Sequence, residues 1–212
     1  MKSMIISSIL LASYLIGSIP TSFIFGKLVK GIDIRDFGSG NVGATNALRV
    51  LGTKIGIITL IIDIAKGFIT VFLGKIVLEK FGISNNIELL TISIAFAAII
   101  GHIFTIYLKF KGGKGVATSA GVFIALTPIP ILFALIIFLV TVVITRYVSL
   151  GSILGAISLF IVELIINIQM GFSQKYYLAF VSLVALFIVI KHKANIGRLL
   201  AGNENKISFK KG

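Results

Sequence analysis

Apolar residues run along this chain in blocks long enough to enter a lipid bilayer, and short polar, glycine-rich, basic segments separate them. A helix needs about 20 apolar residues to cross the hydrocarbon. The blocks fall at 4–25, 55–78, 89–108, 116–126, 131–144, 150–168 and 176–190, and each predicts a helix. The first follows Lys2 like the apolar core of a signal peptide. It is too long for that and no small-residue cleavage site follows, so it reads as a retained helix. The fourth is short and ends at Thr127-Pro128-Ile129-Pro130. It is either a short crossing packed among other helices or half of a re-entrant hairpin with the block after it.

Charge separates these alternatives. With seven crossings, one face receives Lys27, Lys30, Arg35, Arg49, Lys54, Lys109, Lys111, Lys114, Arg146, Lys191, Lys193, Arg198, Lys206, Lys210 and Lys211. The other receives Lys2, Lys75, Lys80 and Lys175, while Lys66 lies inside a span. Basic residues mark the cytoplasmic side. A re-entrant 116–126 segment would scatter them. The expectation is therefore an all-α polytopic membrane protein of about seven transmembrane helices, amino end outside and carboxy end cytoplasmic. The whole of 1–212 is expected to form one integral membrane domain.

Composition agrees with this reading: 57% of the 212 residues are hydrophobic, 13% are charged, and the mean hydropathy is +1.10. That is too little polar surface to cover a soluble core of this size. The net charge of +13 would suggest nucleic acid in a soluble chain. Here the cations sit between apolar blocks, so topology and anionic ligands account for them and no nucleic-acid partner is expected. The chain has no cysteine, which excludes disulfides and thiolate chemistry. His102 and His192 lack metal-motif spacing, and no metal or cofactor is expected.

Three interruptions carry donors suited to phosphate. The first holds Gly38, Ser39, Gly40, Asn41, Gly43, Thr45 and Asn46, with Arg49 following. Its Gly-x-Gly-x-x-Gly spacing matches a dinucleotide fingerprint, but a membrane span stands where a strand should precede it. The mechanism nonetheless survives the failed match: glycines let backbone amides approach an anion, and Arg49 offers a bidentate contact. The second is Lys111-Gly112-Gly113-Lys114-Gly115, which lacks the spacing and the Ser or Thr of a nucleotide phosphate loop. At the start of a helix it still makes an anion cradle, although lysines alone would serve as a topology signal. The third places Asn195 and Arg198 three and six residues beyond His192, on one face if helical. A solvated helix end is the competing account. Ser149 and Ser152 add hydroxyls on the expected cytoplasmic face or cap the next helix. Asp63 and Lys66, one turn apart within a span, read as a pair that lowers the cost of burial. His102 reads as a hydrogen-bonded packing residue. Gly151-xxx-Gly155 permits close helix packing, within one subunit rather than at a dimer seam. No Gly-x-Ser-x-Gly elbow occurs, and neither histidine has aspartate five positions on.

Together the segments Tyr14 to Pro20, Asp33-Ile-Arg35 with Gly38 to Asn46 and Arg49, Gly101-His-Ile-Phe104 with Phe110 to Thr118, and Lys191-His-x-x-Asn195-Ile-x-Arg198 resemble the bacterial acyl-phosphate-dependent glycerol-3-phosphate acyltransferases, the PlsY family. The likeness runs from the first span to the carboxy tail. Two positions depart from it: Thr105 stands where proline is expected and Lys191 where arginine is common. The resemblance implies acyl transfer from acyl phosphate to the 1-hydroxyl of glycerol 3-phosphate, giving lysophosphatidic acid and phosphate. Neither acyl-CoA nor acyl carrier protein is expected as donor. It further implies a multi-pass protein of the bacterial cytoplasmic (inner) membrane, with its active site facing the cytoplasm. Ser39, Asn41, Thr45, Arg49 and the Lys111–Lys114 segment are then expected to hold phosphates, with His192 and Asn195 orienting the acceptor or shaping the carbonyl site. Either His192 or the donor phosphate takes the proton. Oligomeric state stays open, with a monomer sufficient. The rival class is a transporter or flippase for a phosphorylated metabolite, which should show internal repeats and a polar path through the membrane; no repeat is evident.

Overall fold

Proline and glycine, more than charge, decide where the helices stop. The computed structural model describes residues 1–207 and is helical, with no strand among the described residues. Lys210 and Lys211, counted in the charge bias, lie outside the described residues. The elements are α1 (Lys2–Ser18), α2 (Thr21–Lys30), α3 (Ala44–Leu51), α4 (Thr53–Lys80), α5 (Ile87–Ile103), α6 (Val116–Leu126), α7 (Pro128–Thr145), α8 (Val148–Gln169), α9 (Lys175–Lys191) and α10 (Lys193–Leu200), with 3-10 turns at Ile34–Asp36 and Ile106–Leu108.

The block expected at 4–25 is one apolar run but two helices. Pro20 has no amide to continue α1, so the chain bends by 42° into α2. The polar segment after it is not a simple loop, because α3 forms within it. Pro128 and Pro130 break the chain as the sequence indicated and then sit in the first turn of α7, where a missing amide costs nothing. Four helices are long and apolar enough to cross a membrane, up to six if each bent pair counts as one span, and α6 is a shorter apolar helix. The chain is thus a multi-pass membrane protein.

Two compact units are present, Met1–Ala125 and a second beginning at Leu126. In the first, α1 packs on α5 and α3 on α4. The α1–α5 crossing depends on absent side chains: a Cβ on Gly17 would overlap the Ala98 carbonyl, and one on Gly101 would overlap that of Tyr14. Backbones that touch gain dispersion where lipid offers no hydrophobic drive for association. In the second unit α7 and α8 pair. There Gly151 and Gly155 face Val142, Phe138 and Ala134 of α7, so this small-residue pair is intrachain packing, as its sequence suggested.

Gly17→Ala would force the α1–α5 backbones apart, at a cost of about 1–3 kcal/mol. The expected outcome is a lower thermal-unfolding midpoint in detergent, read by tryptophan-free methods such as a fluorescent dye or circular dichroism. An unchanged midpoint would contradict the crossing.

Candidate functional site

The first glycine-rich segment is built around one amide. Asn46, at the first turn of α3, is 1% exposed. Its Oδ1 accepts from the Ser39 amide at 2.9 Å, and its Nδ2 donates to the carbonyls of Ile34 and Phe37, both at 3.1 Å. The side chain expected to touch phosphate is therefore spent holding the loop. Gly38 makes this possible: its φ of +63° is left-handed, and a Cβ there would overlap Asn46 Oδ1. Asp33 frames the entry, accepting from the Arg35 amide at 3.0 Å and pairing with the Arg35 guanidinium at 2.6 Å. That guanidinium holds the Asp33 carboxyl down at about 2. With the loop tied from behind, Ser39 and Gly40 are exposed, and Asn41, Thr45 and Arg49 half-buried. Gly43 is the residue from which α3 springs, so the amides of Ala44 and Thr45 open the helix ahead of its first backbone bonds.

Lys111–Gly115 works differently from the expected cradle. The Gly112 amide donates to Ile103 O at 3.1 Å and the Gly113 amide to His102 O at 3.0 Å. These carbonyls end α5 and have no helical donor of their own. A Cβ on Gly112 would overlap His102 O, and one on Gly113 would overlap His102 Nε2. Both glycines therefore serve to dock the strap on α5, and their amides are not offered to an anion. Lys111 is exposed and Lys114 half-buried to either side, and Gly115 at φ +86° turns the chain into α6. The first helical bond there runs from Ser119 to Gly115 O, which leaves the amides of Val116, Ala117 and Thr118 at the helix start. Leu108, three residues before Lys111, shares one buried apolar cluster with Ile34, Val42, Ala47 and Leu51. The bases of both loops thus rest on the same small core.

The second unit assembles the third segment. His192 ends α9 and opens α10 at a 55° bend. Its Nδ1 lies 2.7 Å from Ile188 O. A carbonyl only accepts, so Nδ1 carries the proton and Nε2 the basic lone pair. Asn195 and Arg198 share a face of α10, as their spacing indicated. What gathers them is Glu204, whose Oε1 accepts from Asn195 Nδ2 at 2.8 Å and Ser149 Oγ at 3.0 Å, and whose Oε2 accepts from Arg198 Nε at 2.7 Å. Burial pushes the Glu204 carboxyl up, but the bonds from Asn195, Arg198 and Ser149 outweigh it and hold the acid below its ordinary value. The tail is fixed by Ile207, which is buried and donates to Arg146 O at 2.8 Å. Ser152 donates to Val148 O at 2.9 Å within its own helix.

With this geometry in place, comparison decides the family. A family model described as Glycerol-3-phosphate acyltransferase matches residues 7–202. The chain belongs to this family. Its relatives include a glycerol-3-phosphate acyltransferase of Chlorobaculum tepidum, 45% identical over 224 residues and covering 95% of this chain and 96% of that protein. One of Desulforamulus reducens is 48% identical over 203 residues, with 96% of each covered. Among solved structures, PlsY (YgiH), an integral membrane glycerol 3-phosphate acyltransferase, is 36% identical and covers 96% of both chains. Its glycerol 3-phosphate form matches with a TM-score of 0.82 and its lysophosphatidic acid form with 0.79.

Within this family member, Glu204 is the residue that sequence reasoning missed. The available signal was an acid flanked by Arg198, Lys206 and Lys210, the last of only seven acidic residues. Because the folded carboxyl titrates below 4.5, its stabilising contribution is complete above that value and disappears as pH falls through the folded value. Glu204→Gln is expected to melt below the parent at pH 7, with the gap closing on acidification below pH 4.5. Thermal unfolding in detergent across pH checks this; a gap independent of pH would contradict the assignment.

Proposed function

We propose that this protein, acting as a single integral membrane domain, transfers a fatty acyl group from acyl phosphate to the 1-hydroxyl of glycerol 3-phosphate. The observation that carries the reading is family membership along nearly the whole chain, with solved relatives whose names include glycerol 3-phosphate and lysophosphatidic acid forms. The chemistry of the loops supports it. Both substrates carry phosphate, and Ser39, Asn41, Thr45, Arg49, Lys111 and Lys114 supply hydroxyl, amide and cationic donors for it. Gly38, Gly40, Gly43 and Asn46 shape the first loop, and Gly112, Gly113 and Gly115 place the second.

The acceptor hydroxyl oxygen attacks the acyl carbonyl carbon, forming the ester as the bond from that carbon to the phosphate oxygen breaks. Inorganic phosphate leaves with the electron pair. The hydroxyl proton goes to His192 Nε2 or to the departing phosphate, and acyl phosphate needs no covalent enzyme intermediate because it is already activated. Asn195, kept in place by Glu204 with Ser149 and Arg198, orients the acceptor beside His192. Ser152 lies one turn beyond Ser149 and helps seat the start of α8. The amino end lies outside, the carboxy end in the cytoplasm, with α6 as a seventh crossing and the site open to the cytoplasmic face of the bacterial inner membrane. This orientation agrees with the positive-inside bias. The products are lysophosphatidic acid and phosphate, and no cofactor takes part.

Purified protein in detergent, given palmitoyl phosphate and glycerol 3-phosphate, is expected to release phosphate and form lysophosphatidic acid. Failure to do so would overturn the reading, and equal use of acyl-CoA would overturn the donor. Arg49→Ala is expected to raise KM for a phosphate substrate about tenfold or more, since a lost charged hydrogen bond is worth about 1.5–3 kcal/mol. Unchanged KM for both substrates would remove Arg49 from the clamp. His192→Ala is expected to cut kcat by about 100-fold if Nε2 takes the proton; near-normal turnover would assign that role to the donor phosphate.

A further inference from the structure

One group of buried ionisable side chains has no part in the chemistry above. Asp63 and Lys66 lie on α4 and are 2% and 6% exposed. Lys66 Nζ sits 2.8 Å from Asp63 Oδ1 and donates to Ile19 O at 3.0 Å. The same Asp63 oxygen accepts from Thr21 Oγ1 at 2.9 Å. Ile19 and Thr21 flank Pro20, so the pair ties α4 to the break between α1 and α2. Neutralising one another lowers the cost of burying both charges. The group has a further member. His102, in the last turn of α5 and 8% exposed, presents Nδ1 to Asp63 Oδ1 at 3.9 Å.

The opposite edge of that imidazole meets the basic strap. A Cβ on Gly113 would overlap Nε2 and come within 3.1 Å of Cδ2 and Cε1. The Gly113 amide donates to the carbonyl of the same histidine. His102 therefore grips Gly113 twice, by its backbone oxygen and by the edge of its ring, while the Asp63 charge faces the ring from behind. We infer that His102 is a positioning residue for the Lys111–Gly115 strap, seated between the Asp63–Lys66 pair and Gly113, and that it sets where Lys111 and Lys114 present their charges to phosphate. The inference rests on the acyltransferase reading and extends it to a residue that touches no substrate. Gly112 and Gly113, at the centre of the strap, have no side chains to stiffen it. Its precision must come from what it leans on.

The test is a size-complementation cycle in full-length protein in detergent. Gly113→Ala alone is expected to raise KM for a phosphate substrate about tenfold, with kcat within about threefold. His102→Asn keeps an N–H donor towards Asp63 and removes the ring edge from Gly113; alone it is expected to raise KM about fivefold, because the strap loses what it leans on. The double variant should return KM to within about threefold of the parent, because the new methyl group enters the vacated space. Multiplicative losses in the double variant would overturn the inference. Should Gly113→Ala not fold, His102→Leu provides the reading: a KM raised about fivefold or more in monodisperse protein, with kcat within about twofold, supports positioning. Unchanged KM for both substrates refutes it. Calorimetric binding of inorganic phosphate keeps this separate from the enzyme reading. If the parent binds phosphate without turning over, the acyltransferase assignment fails, yet binding weakened about fivefold in His102→Leu still supports the strap contact. Equal binding overturns it.

Discussion

Every helix that ends in or beside lipid leaves carbonyls without amides, and a carbonyl in hydrocarbon has no water to accept from. This constraint governs the parts of the chain that are not helix. Where α1 stops before Pro20, Lys66 reaches the Ile19 carbonyl and Thr105 donates to that of Ser18. Where α5 stops, Gly112 and Gly113 fold back onto Ile103 and His102. Lys30 donates to Val50 O near the end of α3, and Ile207 donates to Arg146 O where α7 closes. Each polar segment is first a solution to an open helix end.

The glycine-rich segments take on a different meaning in this light. A loop whose amides all pointed at a ligand would leave the helix ends beneath it unsatisfied. The structure divides the work instead. Gly112, Gly113 and Asn46 face inward and complete the scaffold, while Ser39 and Lys111 remain exposed. The same division holds in the second unit, where Glu204 collects Ser149, Asn195 and Arg198 and thereby fixes the helical turn that follows His192. A catalytic geometry needs such a supporting layer, because donors misplaced by an ångström lose much of their value.

Thr105 shows how a departure from a familiar pattern is absorbed. Proline at this position would have no backbone donor. Threonine retains its amide and adds a hydroxyl that bonds the last carbonyl of α1. The local chain keeps its course: Phe110 donates back to Thr105 O at 2.8 Å and the strap begins in place.

The sequence alone determined the class, the approximate helices and the identity of the polar segments, because hydropathy and basic bias are local properties that lipid reads directly. The motif likeness pointed to the family, and of the residues nominated from sequence Ser39, Gly40 and Lys111 are exposed while Asn46, Ser149, Ser152, His192 and Asn195 are buried. Periodicity could not reveal that 4–25 is two helices, since a bend at Pro20 changes no residue's hydropathy. Nor could it show that Asn46, Gly112 and Gly113 turn inward, that Asp63 reaches Thr21 and His102, or that Glu204 gathers three donors from two helices. These are matters of which atom meets which across long sequence separations. Only the tertiary structure decides them, because a hydrogen bond requires a distance and an angle that no local pattern carries.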